Sequence, residues 1–445
     1  MTDGPTYAEL AGTARAVLAE RPRGSDIEVC VRSEERAELV AEGAGGPRSS
    51  VGSGTGVAVR LAVGSPPRIG FAATSDLSPH GLRRVVETAR ALAGAAQPGG
   101  FLPEPPVAAA PAARVGATAD GPAIGPADAD RRTLLDGLLD EARATGLTPV
   151  TAAVTAAAHH QVVLSSRGIE AHSSLGWSRA HMTAQVAGPT GRPRQLLGVR
   201  LGEGRDASGT NGLVPGLAAD LLPQRELPLT PLPDGVPLLF EPFAAAKLLR
   251  PLVWALDGGA VRAGKSPVRT GTDLLPPWLE LVDDGRPDGG PFGADTDDEG
   301  LPTRRARLTG AGTVTGTLDR WSPDRPDGGG QARRFGWAEP PRAAASNLRL
   351  SATGPVGAAP PGERFVRVLD ATGIETSYNR ATGDFRAQLQ GCLCAADGTP
   401  TGYVQAPWSG NLVRILRRIS WIGSEYRWFP LESAIGGAAM GIDPE

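Results

Sequence analysis

The chain has 445 residues and a formal net charge of −3, long enough to bury a substantial core and to divide into two or three domains. So even a charge balance argues against a polyanion partner, because nucleic-acid affinity draws on clustered cationic contacts to phosphate. Three cysteines, Cys30, Cys392 and Cys394, are too few to staple a secreted domain of this size.

The opening residues, MTDGPTYAELAGTARAVLAE, lack a basic start followed by an apolar run, and no stretch of 18 apolar residues occurs. The expectation is therefore a soluble, cytoplasmic protein without membrane contact. Leu10, Ala14, Val17 and Leu18 share one stripe of a first helix over 7–20. Ile27, Val29 and Val31 then alternate with Glu28, Cys30 and Arg32, the period of a half-buried strand. The run Gly52-Ser53-Gly54-Thr55-Gly56 precedes a strand over 57–61, the reverse of the strand, glycines, helix order that cradles phosphate. Ser78-Pro79 caps a second helix that carries Leu82, Val85, Val86, Ala89 and Leu92 on one face.

From 97 to 130 Pro, Ala and Gly dominate without either hydrophobic period, which reads as a linker or long loop. A helix over 131–145 follows, then four extended segments at 151–157, 161–165, 169–177 and 181–186, spaced like an antiparallel meander. The histidines, His80, His159, His160, His172 and His181, do not converge as zinc ligands do, since adjacent His159 and His160 on a strand face opposite ways. Residues 222–235 are too proline-rich for a regular element. A strand over 236–240 and a helix over 243–256 come next, with Pro251 expected to kink or divide the helix. Strands are expected at 365–369, 376–379, 384–394 and 401–405, and a helix over 409–421 with Arg414, Arg417 and Arg418 on its outer face.

The stretch from Asp295 to Leu318 is an acidic turn running into a hairpin about Gly310, Ala311 and Gly312. Asp295, Asp297, Glu299 and Gly300 fall at positions 1, 3, 5 and 6 of an EF-hand-like loop, but Ala306 stands where a bidentate Glu is needed. The carboxylates then read as a solvated turn pairing with Arg304, Arg305 or Arg307, or as a mouth that takes a cationic group of a bound peptide. On that second reading Asp297, Asp298, Glu299, Gly300 and Arg304 are the candidate substrate- or partner-binding residues.

The same stretch, D-D-E-G followed by P-T-x-R and a Gly-turned hairpin, resembles the C-terminal domain of the TldD/PmbA family, whose members are also called TldE proteins or modulators of DNA gyrase. Val282-Asp283-Asp284, Ser346-Asn347-Leu348, Ala381 to Phe385, Gly410-Asn411-Leu412 and Ile419 to Gly423 match in the same order. Gly52 to Leu61 and Gly70 to Leu77 resemble strands of the N-terminal domain. Fold and divisions follow as expectations. The class is α+β: an N-terminal α/β layer domain with a mostly antiparallel meander, then a β-rich C-terminal domain with a few helices. The divisions are 1–96, the linker 97–130, a central helix with antiparallel strands over 131–225, and the C-terminal domain over 226–445.

In TldD-type members the passage matching residues 240–245 carries HExxxH, two zinc ligands and a general base, with a cysteine near the C-terminus completing the site. Here Phe240, Glu241 and Ala245 fall at the His, Glu and His positions, and Ser424 to Phe429 holds no cysteine; Cys392 and Cys394 lie earlier in a strand with diverging side chains. The resemblance thus implies the TldE/PmbA branch, with no zinc in this chain and zinc in a TldD-like HExxxH partner subunit. It also implies a heterodimer, self-pairing of the isolated chain, and peptide substrates met in leader removal or proteolysis. A stand-alone peptide-binding or chaperone-like module is the alternative. A metal-free catalytic site finds no G-x-S-x-G elbow to support it.

Overall fold

The computed structural model describes residues 5–43, 45–105, 128–203, 212–325, 328–352, 356 and 363–444. Helix α1 (Tyr7–Ala19) opens on a capping box in which Thr6 and Glu9 satisfy each other's backbone amides. It is followed by β1 (Ser25–Glu42), β2 (Arg48–Val63), β3 (Arg68–Thr74) and α2 (Pro79–Ala95). The Ser78 side chain caps α2 with proline at its start, as the sequence predicts. Then come α3 (Asp128–Ala144), β4 (Thr148–Ser165), β5 (Glu170–Ala187), β6 (Pro193–Glu203) and α4 (Leu213–Leu221). The six strands form one antiparallel sheet in the order β3-β2-β1-β4-β5-β6.

The odd residues of β1 face the helices. Ile27, Val29 and Val31 pack with α1 and α2, while Leu39 and Ala41 pack with α3 and α4. The even residues, expected to face water, are instead covered: Glu28 and Cys30 are 1% exposed and Arg32 7%. Leu301, from the second half of the chain, packs on Cys30, Val163 and Ala171 and closes that face.

Past α4 lie β7 (Leu229–Thr230), β8 (Leu238–Phe240), α5 (Pro242–Leu249), α6 (Leu252–Ala255), α7 (Gly258–Arg262) and β9 (Leu279–Asp284). Short strands follow: β10 (Arg305–Arg307), β11 (Thr309–Gly310), β12 (Thr313–Val314), β13 (Ala332–Arg333), β14 (Arg342–Ala343) and β15 (Asn347–Ala352). The remainder is β16 (Phe365–Thr372), α8 (Ile374–Ser377), β17 (Asp384–Cys394), β18 (Pro400–Asn411), α9 (Leu412–Leu416), β19 (Ile419–Leu431) and β20 (Ser433–Ile442). Ten of these strands make one mixed sheet in the order β10-β9-β15-β20-β8-β16-β17-β18-β7, with β19 on β20. Its core is built on α5 and α6, which Pro251 separates as expected.

The class is α+β, and several local expectations are corrected. The four segments of the predicted meander are two unbroken 18-residue strands, β4 and β5, and β6 was not foreseen. The glycine run 52–56 lies inside β2 rather than before it. Residues 374–377 are helical where a strand was expected over 376–379. The helix expected over 409–421 is a single five-residue turn, α9, because β18 runs to Asn411 and β19 starts at Ile419. The hairpin over 303–318 is reduced to β11 and β12, while β10 pairs with β9. Cys392 and Cys394 share one buried cluster, since residues two apart on a strand face the same way. The Pro/Ala/Gly-rich segment 97–130 lies mostly outside the described residues.

Candidate functional site

The acidic turn is the hub between the two halves of the chain, and it is buried. Asp297, Asp298 and Glu299 are 0%, 4% and 2% exposed, so a solvated turn paired with Arg304, Arg305 and Arg307 is not what forms. The physical reason is the partner supply. Burying three carboxylates is tolerable where matched donors surround them; Asp298 and Glu299 draw theirs from elements far along the chain, while Asp297 is held chiefly by amides of its own turn.

Glu299 Oε1 accepts from Arg60 Nη1 at 2.7 Å and Arg320 Nη1 at 3.3 Å. Arg60 in turn forks onto both oxygens of Glu28, with Nε at 2.9 Å from Oε1, and Arg334 Nη2 donates to Glu28 Oε1 at 2.7 Å. Asp298 accepts from Gln161 Nε2 at 2.6 Å and from the Arg334 amide at 2.7 Å. Asp297 accepts from the amides of Glu299 and Leu301 at 3.0 Å and of Ala332 at 3.1 Å, which ties the turn shut.

Environment separates the charges of this cluster. Burial, reinforced by the charge on Glu299, raises the Asp297 carboxyl to about 7 against the pull of its backbone donors. Burial also works to raise Asp298, but the charges of Arg333 and Arg32 and the hydrogen bond from the Arg334 amide outweigh it and hold that carboxyl below its usual range. His159 is pushed well below 6.5, first by its removal from bulk water and then by Arg32, so it is neutral in the folded protein.

Other fragments scattered along the sequence converge on the same cluster. Asp283 accepts from the amides of Ser346 and Asn347 at 2.8 and 2.9 Å and from Gln331 Nε2 at 3.0 Å. Gln331 Oε1 receives the Asp319 amide at 3.1 Å, and Asn347 Nδ2 donates to the Asp284 carbonyl at 2.7 Å. Arg304 is half-buried, and its carbonyl accepts from the Gly285 amide at 3.0 Å.

Gly300 is fixed by two constraints. Its φ is +79°, and a Cβ there would lie 2.6 Å from Ile169 Cγ2. Gly300→Ala is therefore expected to lose about 1–2 kcal/mol to the left-handed backbone and about 1–3 kcal/mol to overpacking. Urea unfolding checks this, and an unchanged urea midpoint contradicts it.

Beside this hub opens a cleft of about 630 Å³ between the sheet face and the second half of the chain. Arg32, His159 and Trp177 line its floor, and Arg333, Phe335 and Trp337 its opposite wall. Asp298 alone of the acidic triad reaches it. The cleft joins cationic, aromatic and carboxylate groups. Glu28, Arg32, Arg60, Gln161 and Arg334 were missed by sequence reasoning. The one signal, for those on strands, is that β1, β2 and β4 carry polar residues at positions that a second layer covers.

The passage 240–245 has a different character. Phe240 is fully buried against Trp408, with ring centroids 5.6 Å apart. Glu241 precedes α5 and is tied to Arg367, which also donates to Asp220 at 2.8 Å. Ala245 is 1% exposed and borders a cavity of about 130 Å³ shared with Ile422, Ser424, Tyr426 and Met440. A zinc centre needs three N, S or O donors converging at about 2.0–2.3 Å. Phe240 and Ala245 offer none, and among the described residues no group of three or more His, Cys, Asp or Glu is placed to hold a metal. The residues present do not fit zinc.

Two family models match the chain: the PmbA/TldA metallopeptidase C-terminal domain over residues 233–443, and PmbA/TldA metallopeptidase domain 1 over residues 31–93, together more than half of it. Similar solved structures include TldE from Thermococcus kodakarensis, with a TM-score of 0.78, 17% identity and 98% of each chain covered. A protein described as a modulator of a DNA gyrase from Thermotoga maritima has a TM-score of 0.78 and 15% identity, covering 98% of this chain and 99% of that one. A third, described as a modulator of DNA gyrase from Bacteroides thetaiotaomicron, has a TM-score of 0.75 and 16% identity, covering 98% and 97%. No curated protein matches the chain.

Proposed function

Because the chain belongs to the TldD/PmbA family, we propose that it is the non-catalytic, TldE-like subunit of a two-chain peptidase whose zinc sits in an HExxxH-bearing partner. The observation that carries this reading is the passage 240–245. Two of its three key positions hold side chains without a donor atom, and the third, Glu241, is ion-paired with Arg367. A glutamate serves as general base in such enzymes by deprotonating metal-activated water, and with no ligand pair beside it Glu241 has nothing to act on.

On this reading the subunit contributes the interdomain cleft, which holds an unfolded or leader peptide while the partner cuts it. The work belongs to peptide maturation or to removal of loosely folded chains in the cytoplasm, and the isolated subunit self-pairs through the surface that meets its partner. The even charge balance gives no support to a nucleic-acid role. Purified from zinc-supplemented culture, the chain is expected to carry well under one zinc per molecule by elemental analysis. About one tightly held zinc per chain contradicts the proposal.

A further inference from the structure

The glycine run 52–56 lies at an edge of the six-stranded sheet. Strand β2 pairs with β1 along its whole length, from Arg48 to Val63, but β3 covers its outer side from Val57 onwards. Among the described residues no strand pairs with the outer side of 48–56. The direction of the free groups follows from the ladder. Ser166 N–H donates to the Ile27 carbonyl on the β4 side, and β1 pairs with both neighbours without a register shift. Odd residues of β1 therefore bond to β4 and even ones to β2, because antiparallel residues aim both backbone groups at one neighbour and alternate. Since Arg32, Glu34 and Arg36 lie opposite Gly56, Gly54 and Gly52, the N–H and C=O groups of Ser49, Val51, Ser53 and Thr55 point away from the sheet.

This edge is unprotected. Native free edges are blunted by lysine, proline, bulges or shortness, yet Ser49-Ser50-Val51-Gly52-Ser53-Gly54-Thr55 has none of these. Gly52 and Gly54 have open space where a Cβ would stand, while Trp337 closes over Gly56, 2.1 Å from where its Cβ would be. Gly52, Ser53 and Gly54 border the 630 Å³ cleft.

We propose that the outer edge of β2 over residues 49–55 takes an extended polypeptide segment by main-chain pairing, so that the captured strand runs along the cleft. The occupant is a peptide rather than a second copy of the chain. A stable dimer buries about 1,200–2,000 Å², and this edge offers Val51 as its one sizeable apolar side chain. Strand addition needs no such area, because backbone hydrogen bonds supply the affinity. The glycines on the cleft side leave room for side chains of any size, which makes the edge tolerant of sequence. The inference rests on the peptide-holding reading above and assigns the place where that holding occurs.

The test uses the full chain and a fluorescein-labelled peptide of about ten residues, alternating threonine and valine with a lysine at each end. Its counterpart carries N-methyl groups at alternate amides. Ser53→Pro removes one outward N–H and leaves the β1 ladder intact, Ser53→Ala is its control, and Val51→Pro is the second variant should Ser53→Pro unfold. By fluorescence anisotropy, the proline variant and the methylated peptide are each expected to bind about tenfold more weakly, the loss of one or two net hydrogen bonds, and Ser53→Ala to bind like the wild type. Equal binding of the plain peptide by wild type and proline variant overturns the edge assignment while peptide holding survives. No binding of either peptide overturns both. A change of mass in light scattering with peptide binding untouched shows the edge to be a contact between copies and overturns the proposal.

Discussion

Arg60→Met is expected to destabilise the protein by about 3–5 kcal/mol, the range for removing one member of a buried ion cluster. Arg60 is 3% exposed and lies between Glu28 and Glu299, which are 1% and 2% exposed. Without it two carboxylates stay buried, with Arg334 remaining on Glu28 and Arg320 on Glu299. Because Glu28 and Arg60 belong to the six-stranded sheet and Glu299 to the turn, the loss falls on the contact between the two halves. Limited proteolysis is therefore expected to cut near 295–303 faster, in step with a lower urea midpoint. Arg60→Lys keeps the charge but not the planar fork, and is expected to recover part of the loss. In Arg60→Met/Glu299→Gln, one stranded charge is gone, and the double variant should be more stable than Arg60→Met by itself. A change below about 1 kcal/mol in Arg60→Met marks the cluster as no more than a surface pair.

Much of the architecture is legible from local chemistry. Ser78 with Pro79, and Pro251, each mark a helix boundary that the structure keeps, because caps and prolines act through bonds close in sequence. Strand length is less legible. The break expected between 157 and 161 falls on Ala158, His159 and His160, and pairing with β1 and β5 makes β4 continuous there. The stretch 409–421 fails for the opposite reason. Leu412, Ile415, Leu416 and Ile419 fit a helical period, but their burial is set by one turn between two long strands.

The site shows the same limit at longer range. The sequence marks Asp297, Asp298 and Glu299 as unusual, yet their partners Arg60 and Gln161 lie 239 and 137 residues away. Nothing local to the turn distinguishes a carboxylate that meets water from one that meets Arg60. The ordered family fragments foretell that a structure forms there, and Asp283 and Asn347, both from those fragments, brace the loops beside the turn together with Gln331.

Catalysis is expected to appear with the partner and not with this chain. Phe240 and Ala245 offer no zinc ligand and Glu241 is ion-paired with Arg367; on the proposed reading this chain supplies binding and the partner supplies chemistry. Removing metal-activated water removes the dominant contribution to a metallopeptidase rate, so the difference is between turnover and none. The decisive measurement is the release of fluorescent fragments from labelled casein, in matched zinc, by this chain, by an HExxxH-bearing chain of the same family, and by the two mixed in equal amounts. The expected result is no cleavage above buffer by this chain, a 1:1 complex in light scattering, and cleavage by the mixture that exceeds either chain by itself. Steady, chelator-sensitive cleavage by this chain without the partner contradicts the assignment of a non-catalytic subunit.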